Sequence, residues 1–166
     1  MSSKTPTIKQ ISWISIIPQL IVMGIIMLLW YLINPEKAIL YGTLTYLAIS
    51  LSLRNLIPKD HKNGMKKVKN RNFNKAISDF KKSYEFFDKN KWIDKYRFLT
   101  LLSSSRISYK EMALNNIAFC YGQIGKGIKS KEFYERTLKE FPESGLAKAG
   151  LNILNSISSN APQQKI

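Results

Sequence analysis

The sequence predicts an all-α protein, with an N-terminal transmembrane helical hairpin ahead of a short α-solenoid. Three observations predict it. Residues 10–57 carry only Glu36, Lys37 and Arg54 as charges, while the rest of the 166-residue chain is dense in Lys, Asn and Ser. From residue 60 onward apolar side chains recur at helical spacing and nothing alternates like a strand. Proline is absent between Pro58 and Pro142, which leaves that stretch free of the strongest helix breaker.

The first span is expected over residues 11–33. It is 23 residues without a charge, where a bilayer core about 30 Å thick needs about 20 in a helix. Pro18 lies in its first third, where membrane helices tolerate it. Trp13, Trp30 and Tyr31 lie near the two ends, where aromatic rings favour the interface. The run is longer than a signal-peptide core and no small-residue cleavage site follows it. The second span is expected over 38–57, with Arg54 reaching back to the headgroups. Ala38, Gly42, Thr45 and Ser52 share one face, which would let this helix approach the first closely. Asn34-Pro35-Glu36-Lys37 between them is a turn too short for anything but antiparallel neighbours. The flank after the second span is rich in Lys and Arg, and Lys4 and Lys9 precede the first. Both termini are therefore expected in the cytoplasm, making this a multi-pass protein of the cell membrane.

Behind the spans, apolar positions mark four helical stretches: Ala76, Ile77, Phe80, Tyr84, Phe87; Met112 to Ile124; Phe133, Tyr134, Leu138, Phe141; and Leu146 to Leu154. Ser108-x-x-Glu111 has the form of a capping box and predicts a helix over 109–124, ended by Gly125 and Gly127. Ser144 predicts the cap of a last helix over 145–157. The tail 158–166 is polar and expected to be disordered.

Leu114, Ile117, Ala118, Tyr121, Gly125, Ser130, Tyr134, Thr137 and Pro142 together resemble the tetratricopeptide repeat, a 34-residue pair of antiparallel helices. The match covers 111–144. Gly127 stands where an aromatic is usual, and Ser130 and Thr137 where Ala is usual. A second copy reads over 57–90, through Gly64, Phe73, Ala76, Phe80 and Ser83. There Lys67 replaces the aromatic and Asp88 the proline. Ala76 and its equivalent Ser130 are 54 residues apart instead of 34. Twenty residues are thus inserted, apolar at Trp92, Ile93, Tyr96, Leu99 and Leu102. They predict an extra helix over 91–103 that either extends the preceding helix or covers one face. The resemblance implies a tetratricopeptide-like domain over 58–157 with its insert at 91–110 and a capping helix at 145–157. It also implies a concave partner-binding face on the first helix of each repeat: His61, Met65 and Lys69, then Met112, Asn115, Phe119 and Gln123.

The net charge of +15 is uneven. Residues 59–71 hold six basic residues against Asp60. With Arg54, the residues Lys59, Lys62, Lys66, Lys67, Lys69 and Arg71 are expected to contact anionic lipid, each contributing about 1 kcal/mol near the surface. Nucleic acid is disfavoured: Phe73, Phe80, Tyr84, Phe86 and Phe87 interleave with the basic residues at core spacing, and no reading motif accompanies them. One cysteine, Cys120, and one histidine, His61, exclude an intrachain disulfide and offer no metal cluster, cofactor site or hydrolytic triad. The sequence therefore predicts a non-enzymatic adaptor that binds a protein partner at the membrane. The alternative is a small accessory subunit of a larger membrane complex. Two repeats are few for an array; the extra helix and the last helix could supply the missing cover, and self-association could also do so.

Overall fold

The computed structural model describes residues 16–160, and over these the chain is all-helical, with no strand. The helices are α1 (Ile16–Ile33), α2 (Ala38–Leu56), α3 (Lys59–Lys69), α4 (Phe73–Lys89), α5 (Lys91–Lys95), α6 (Arg97–Thr100), α7 (Tyr109–Gln123), α8 (Gly127–Glu140) and α9 (Gly145–Asn160). They divide into two compact units. One holds residues 60–88 and 109–160; the other holds 16–59 and 89–108.

The second unit contains α1, α2, α5 and α6. No residue of α1 is buried, and it is the one described helix long and apolar enough to cross a membrane. Residues 11–15 of the expected span, with Trp13, lie outside the described residues, as do Lys4 and Lys9. A 3-10 turn, Pro35–Lys37, joins α1 to α2. Asn34 starts it in an extended conformation, with its Oδ1 accepting from Lys37 N at 3.2 Å, and Pro35 takes the first position, where a missing N–H costs nothing.

α1 and α2 pack on each other at small residues. A Cβ on Gly42 would sit 2.9 Å from Met27 Cγ and 3.0 Å from Met27 Cα, so only glycine permits this approach. Trp30 Nε1 donates to Thr45 Oγ1 at 3.0 Å, and the Trp30 ring meets Tyr41 at 5.0 Å between centroids. Ala38 and Gly42 are buried as the expected small-residue face requires. Ser52 is exposed, and Ser50 is buried in its place. α2 is less apolar than α1, with Thr43, Thr45, Ser50, Ser52, Arg54 and Asn55 along it.

The insert does not form one helix over 91–103, nor does it prolong α4. The helix breaks at Asn90 and again at Tyr96, giving the short α5 and α6. They fold with α1 and α2, and α6 contacts α1.

The other unit contains α3, α4, α7, α8 and α9. Its core is Ala76, Ile77 and Phe80 of α4 against Ile117, Cys120 and Tyr121 of α7. Ser144 caps α9 as expected, its Oγ accepting from Ala147 N at 3.4 Å. α9 runs to Asn160, three residues past the expected end, and residues 161–166 of the tail lie outside the described residues.

The turns of the two helix pairs repeat each other bond for bond. After α3, Asn70 N donates to Lys66 O, Arg71 N to Val68 O, Asn72 N to Lys67 O, and Ala76 N to Asn72 O. After α7, Ile124 N donates to Cys120 O, Gly125 N to Gly122 O, Lys126 N to Tyr121 O, and Ser130 N to Lys126 O. Every donor and acceptor in the second set lies 54 residues after its counterpart. The left-handed residue that closes each helix matches too: Arg71 at φ 57 and Gly125 at φ 74.

Close contact in each pair also depends on small residues. A Cβ on Gly64 would lie 2.6 Å from Phe80 Cε1, inside the ring's van der Waals surface. In the second pair Ser130 is 1% exposed and donates its Oγ to Ala118 O at 2.8 Å, so a hydroxyl stands where Ala76 packs in the first.

Candidate protein-binding surface

Seven residues on α3 and α7 were the expected partner surface, and the structure divides them by register. His61 and its equivalent Asn115 are buried. His61 lies edge-on to Phe80 and Tyr109, with ring centroids 5.4 and 5.3 Å away, and its Nδ1 is 3.5 Å from Ser83 Oγ. Burial lowers its pKa to about 4, so the ring is neutral at pH 7. Asn115 Nδ2 donates to Glu111 O at 3.1 Å and to Ser144 Oγ at 3.3 Å. These two polar side chains hold helices together and do not line an open face. Met112, one helical step away, is half-buried.

Met65, Lys69, Phe119 and Gln123 are exposed. Met65 and Phe119 are equivalents 54 residues apart, and Ile153 on α9 follows Phe119 by the regular 34. These three apolar side chains are 46%, 40% and 60% exposed. Lys69, Gln123 and Ile157 form a second row at the same spacings, also exposed. Asn116 Nδ2 reaches Met65 Sδ at 3.5 Å, and the Phe119 ring meets Phe73 edge-on at 6.1 Å, so beside this row α7 touches α3 at Met65 and α4 at Phe73. On the far side, Phe119 and Gln123 share an open cleft with Tyr134, Gly150, Ile153 and Leu154. Gly150 lets the Tyr134 ring pack against α9 at one wall of the cleft: a Cβ there would fall 2.3 Å from Tyr134 Cζ.

Ile153 and Ile157 were missed as surface residues. Their signal was present, since carrying the 34-residue period one step past Phe119 and Gln123 lands on them. As a capping helix, α9 is expected to turn its apolar residues inward.

The remaining repeat positions fall at the helix contacts. Ala76, Phe80, Ala118 and Tyr121 are buried, Phe73 and Tyr134 are half-buried, and Gly125 and Pro142 sit in the turns after α7 and α8. Cys120 is fully buried, and burial raises its thiol pKa to about 11, which makes it a packing residue.

The basic residues expected to meet lipid also divide. Lys59, Lys62, Lys66, Lys69 and Arg71 are exposed. Lys67 pairs with Asp79 at 2.6 Å. The Arg54 guanidinium is hydrogen-bonded to the carbonyl oxygens of Leu101 and Leu102, so it serves the insert.

A polar clasp that the sequence did not announce joins α4, α7 and α8. Glu140 accepts from Tyr84 OH at 2.9 Å and from Arg136 Nε at 3.2 Å, and Lys110 Nζ bridges Glu140 and Asp88 at 2.7 and 2.6 Å. Arg136 and Lys110 also lie over the Tyr84 ring, at 4.6 and 5.2 Å. Partial burial opposes the Glu140 charge, but the hydrogen bonds from Lys110, Tyr84 and Arg136 outweigh it and hold the carboxyl below its ordinary pKa.

Comparison with known protein families, with curated proteins and with solved structures gives no match.

Proposed function

We propose that this chain is a membrane-anchored adaptor whose helical-repeat unit binds a protein partner at the cytoplasmic face of the membrane. The observation that carries the reading is the row Met65, Phe119 and Ile153. Three apolar side chains stand exposed at equivalent positions of α3, α7 and α9, although the residue one turn before each of the first two, His61 and Asn115, is buried. A repeat array that presents one register outward along successive first helices offers a ladder of anchor points to an extended peptide or a helix. The matching turn hydrogen bonds 54 residues apart support the tetratricopeptide-like reading, with α9 as the first helix of a third, incomplete step.

Charge describes the partner further. The α3 end of the row carries Lys66 and Lys69, and the α9 end carries Ile153 and Ile157. The fitting ligand is a segment with acidic residues at one end and apolar anchors at the other.

The anchor in this reading is α1 and α2 together, crossing the membrane as a hairpin with both termini cytoplasmic. The length and apolarity of α1 support it, as do the close packing at Gly42 and the basic flank from Lys59 to Arg71.

In-cell photocrosslinking from Phe119 and Gln123 tests the adaptor reading. One partner should be captured at both positions and lost when Met65→Glu and Ile153→Glu are introduced. Capture that survives those changes would remove the row from the interface.

A further inference from the structure

The insert at 89–108 has no counterpart between α8 and α9, and it folds with α1 and α2 rather than with α4 and α7. Its surface is unusual. Trp92, Tyr96 and Leu99 are 61%, 44% and 45% exposed, on a peptide whose other apolar side chains turn inward: Ile93 and Phe98 are half-buried, and Leu101 and Leu102 are fully buried. The three lie four and three residues apart. Tyr96 N donates to Trp92 O and Thr100 N to Tyr96 O, so Tyr96 both ends α5, one turn after Trp92, and opens α6, which carries Leu99. Lys91 and Lys95 flank them and are exposed, while Asp94, the acid of the stretch, is buried.

The backbone is equally particular. Leu102 adopts φ 46, a left-handed conformation that costs a leucine about 1–2 kcal/mol. The irregular turn around it leaves carbonyls outside any helix, and two arginines cover them. Arg54 holds Leu101 O and Leu102 O. Arg97 holds Asp94 O at 2.8 Å, Ser105 O at 2.8 Å and Arg106 O at 2.6 Å. Thr100 Oγ1 donates to Ile93 O at 2.7 Å. A loop in water can leave such carbonyls to the solvent. A loop where water is scarce must supply its own donors.

We infer that residues 89–108 are an interfacial membrane segment, with Trp92, Tyr96 and Leu99 seated at the boundary of headgroups and acyl chains and Lys91 and Lys95 on anionic phosphates. The inference rests on the proposal that α1 and α2 cross the membrane. Continuity supports it: α6 packs on α1, a largely apolar helix with no buried residue, and Arg54 places the insert at the end of α2 away from the Pro35 turn, where a headgroup layer would lie. Trp and Tyr favour that layer, and amphipathic segments with Lys on the polar side bind anionic lipid there.

The test uses the full chain in vesicles of phosphatidylcholine and phosphatidylglycerol carrying bromine at shallow or deep acyl positions. Trp13→Phe with Trp30→Phe leaves Trp92 as the only emitter; Trp13→Phe with Trp92→Phe leaves Trp30. Trp92 should lose about half its emission to shallow bromine and clearly less to deep bromine, as an interfacial ring does. Quenching of Trp30 without quenching of Trp92 would overturn the inference and leave the anchor standing. Quenching of neither would overturn both.

Because Trp30 bonds Thr45, a second probe avoids disturbing it. Leu99→Cys labelled with bimane in the otherwise native chain is selective, since Cys120 is fully buried. Shallow nitroxide lipid should quench the label. Protection of the label in lipid together with crosslinking from Trp92 to another protein or to a second copy would assign the face to protein and overturn the inference.

Discussion

Replacing Gly64 with alanine should destabilise the unit of α3, α4, α7, α8 and α9 in a way no helix-propensity argument would predict. Alanine is intrinsically better than glycine in a helix by about 1 kcal/mol, and Gly64 is mid-helix in α3, so propensity alone expects a gain. The packing expects a loss. The new Cβ would lie 2.6, 2.8 and 2.9 Å from three atoms of the Phe80 ring. Phe80 is fully buried among Ala76, Ile77 and Ile117, so the ring has nowhere to turn. Overpacking of this kind costs about 1–3 kcal/mol, and a clash with a rigid aromatic belongs at the upper end. After the propensity gain is subtracted, a net loss of about 2 kcal/mol remains, or on the order of 10 °C in Tm for a domain of about 100 residues. The assay is thermal unfolding of the full chain in detergent, followed by helical circular dichroism. Gly127→Ala is the control, because a Cβ there meets nothing within 4 Å, and it should be neutral or stabilising. Adding Phe80→Leu to Gly64→Ala should cost less than the two single changes together. Independent, additive losses would mean that the glycine is not there to admit the ring.

The other predictions concern polar groups. The unfolded chain protonates His61 near its ordinary pKa of 6.5, whereas the native state resists until about 4, so stability should fall as pH drops through that window by about 3 kcal/mol in total and be flat above it. His61→Gln should flatten this segment of a denaturant-midpoint profile; an unchanged slope would mean the ring is not held neutral. Glu140→Gln should weaken the clasp of α4, α7 and α8, with a coupling to Tyr84→Phe of about 1 kcal/mol in a double-mutant cycle. Because the Glu140 pKa is lowered in the fold, the effect should be complete at pH 7 and disappear in acid, as the carboxylate protonates in the parent protein. Arg54→Gln should free the carbonyls of Leu101 and Leu102 and speed proteolysis at 97–108 by at least about tenfold while helix content stays the same, since even one hydrogen bond to a charged group is worth about 1.5–3 kcal/mol. Unchanged cleavage would show that the turn holds itself.

What was legible in the sequence was local or periodic. Ser144 announces α9 because an N-cap needs only a hydroxyl three residues before the N–H it receives. α7 ends where Gly125 stands because the left-handed turn residue is part of its own helix end. The 54-residue offset between Ala76 and Ser130 reappears in the turn hydrogen bonds of both pairs, since each of those bonds joins residues no more than five positions apart.

What was not legible depends on distance along the chain. The burial of His61 and Asn115 follows from Ser83, 22 residues away, and Ser144, 29 residues away, and a polar side chain gives no sign of such a partner. The insert read as one helix because its apolar spacing permits one. Arg97 and Arg54 stabilise a broken path instead, and Arg54 does so across 47 and 48 residues. A basic residue after an apolar run looks like a lipid contact when its carbonyl partners are unknown.

The proposed second crossing turns on how α2 would carry its polar residues. Thr and Ser lower its apolarity below that of α1, and a hydroxyl in hydrocarbon is costly only while it lacks a partner. Thr45 Oγ1 accepts from Trp30 of α1 at 3.0 Å, and Thr43 Oγ1 donates to its own Ile39 O at 2.7 Å. Ser50 is turned inward. The Arg54 charge meets two carbonyls of the insert at the end of the helix. Much of the polar load of α2 is thus discharged within its own unit, by α1 on one side and by the insert at one end. On this argument α2 would enter a membrane only together with α1, and the twenty-residue insert would belong to the anchor, although it lies between α4 and α7 in sequence.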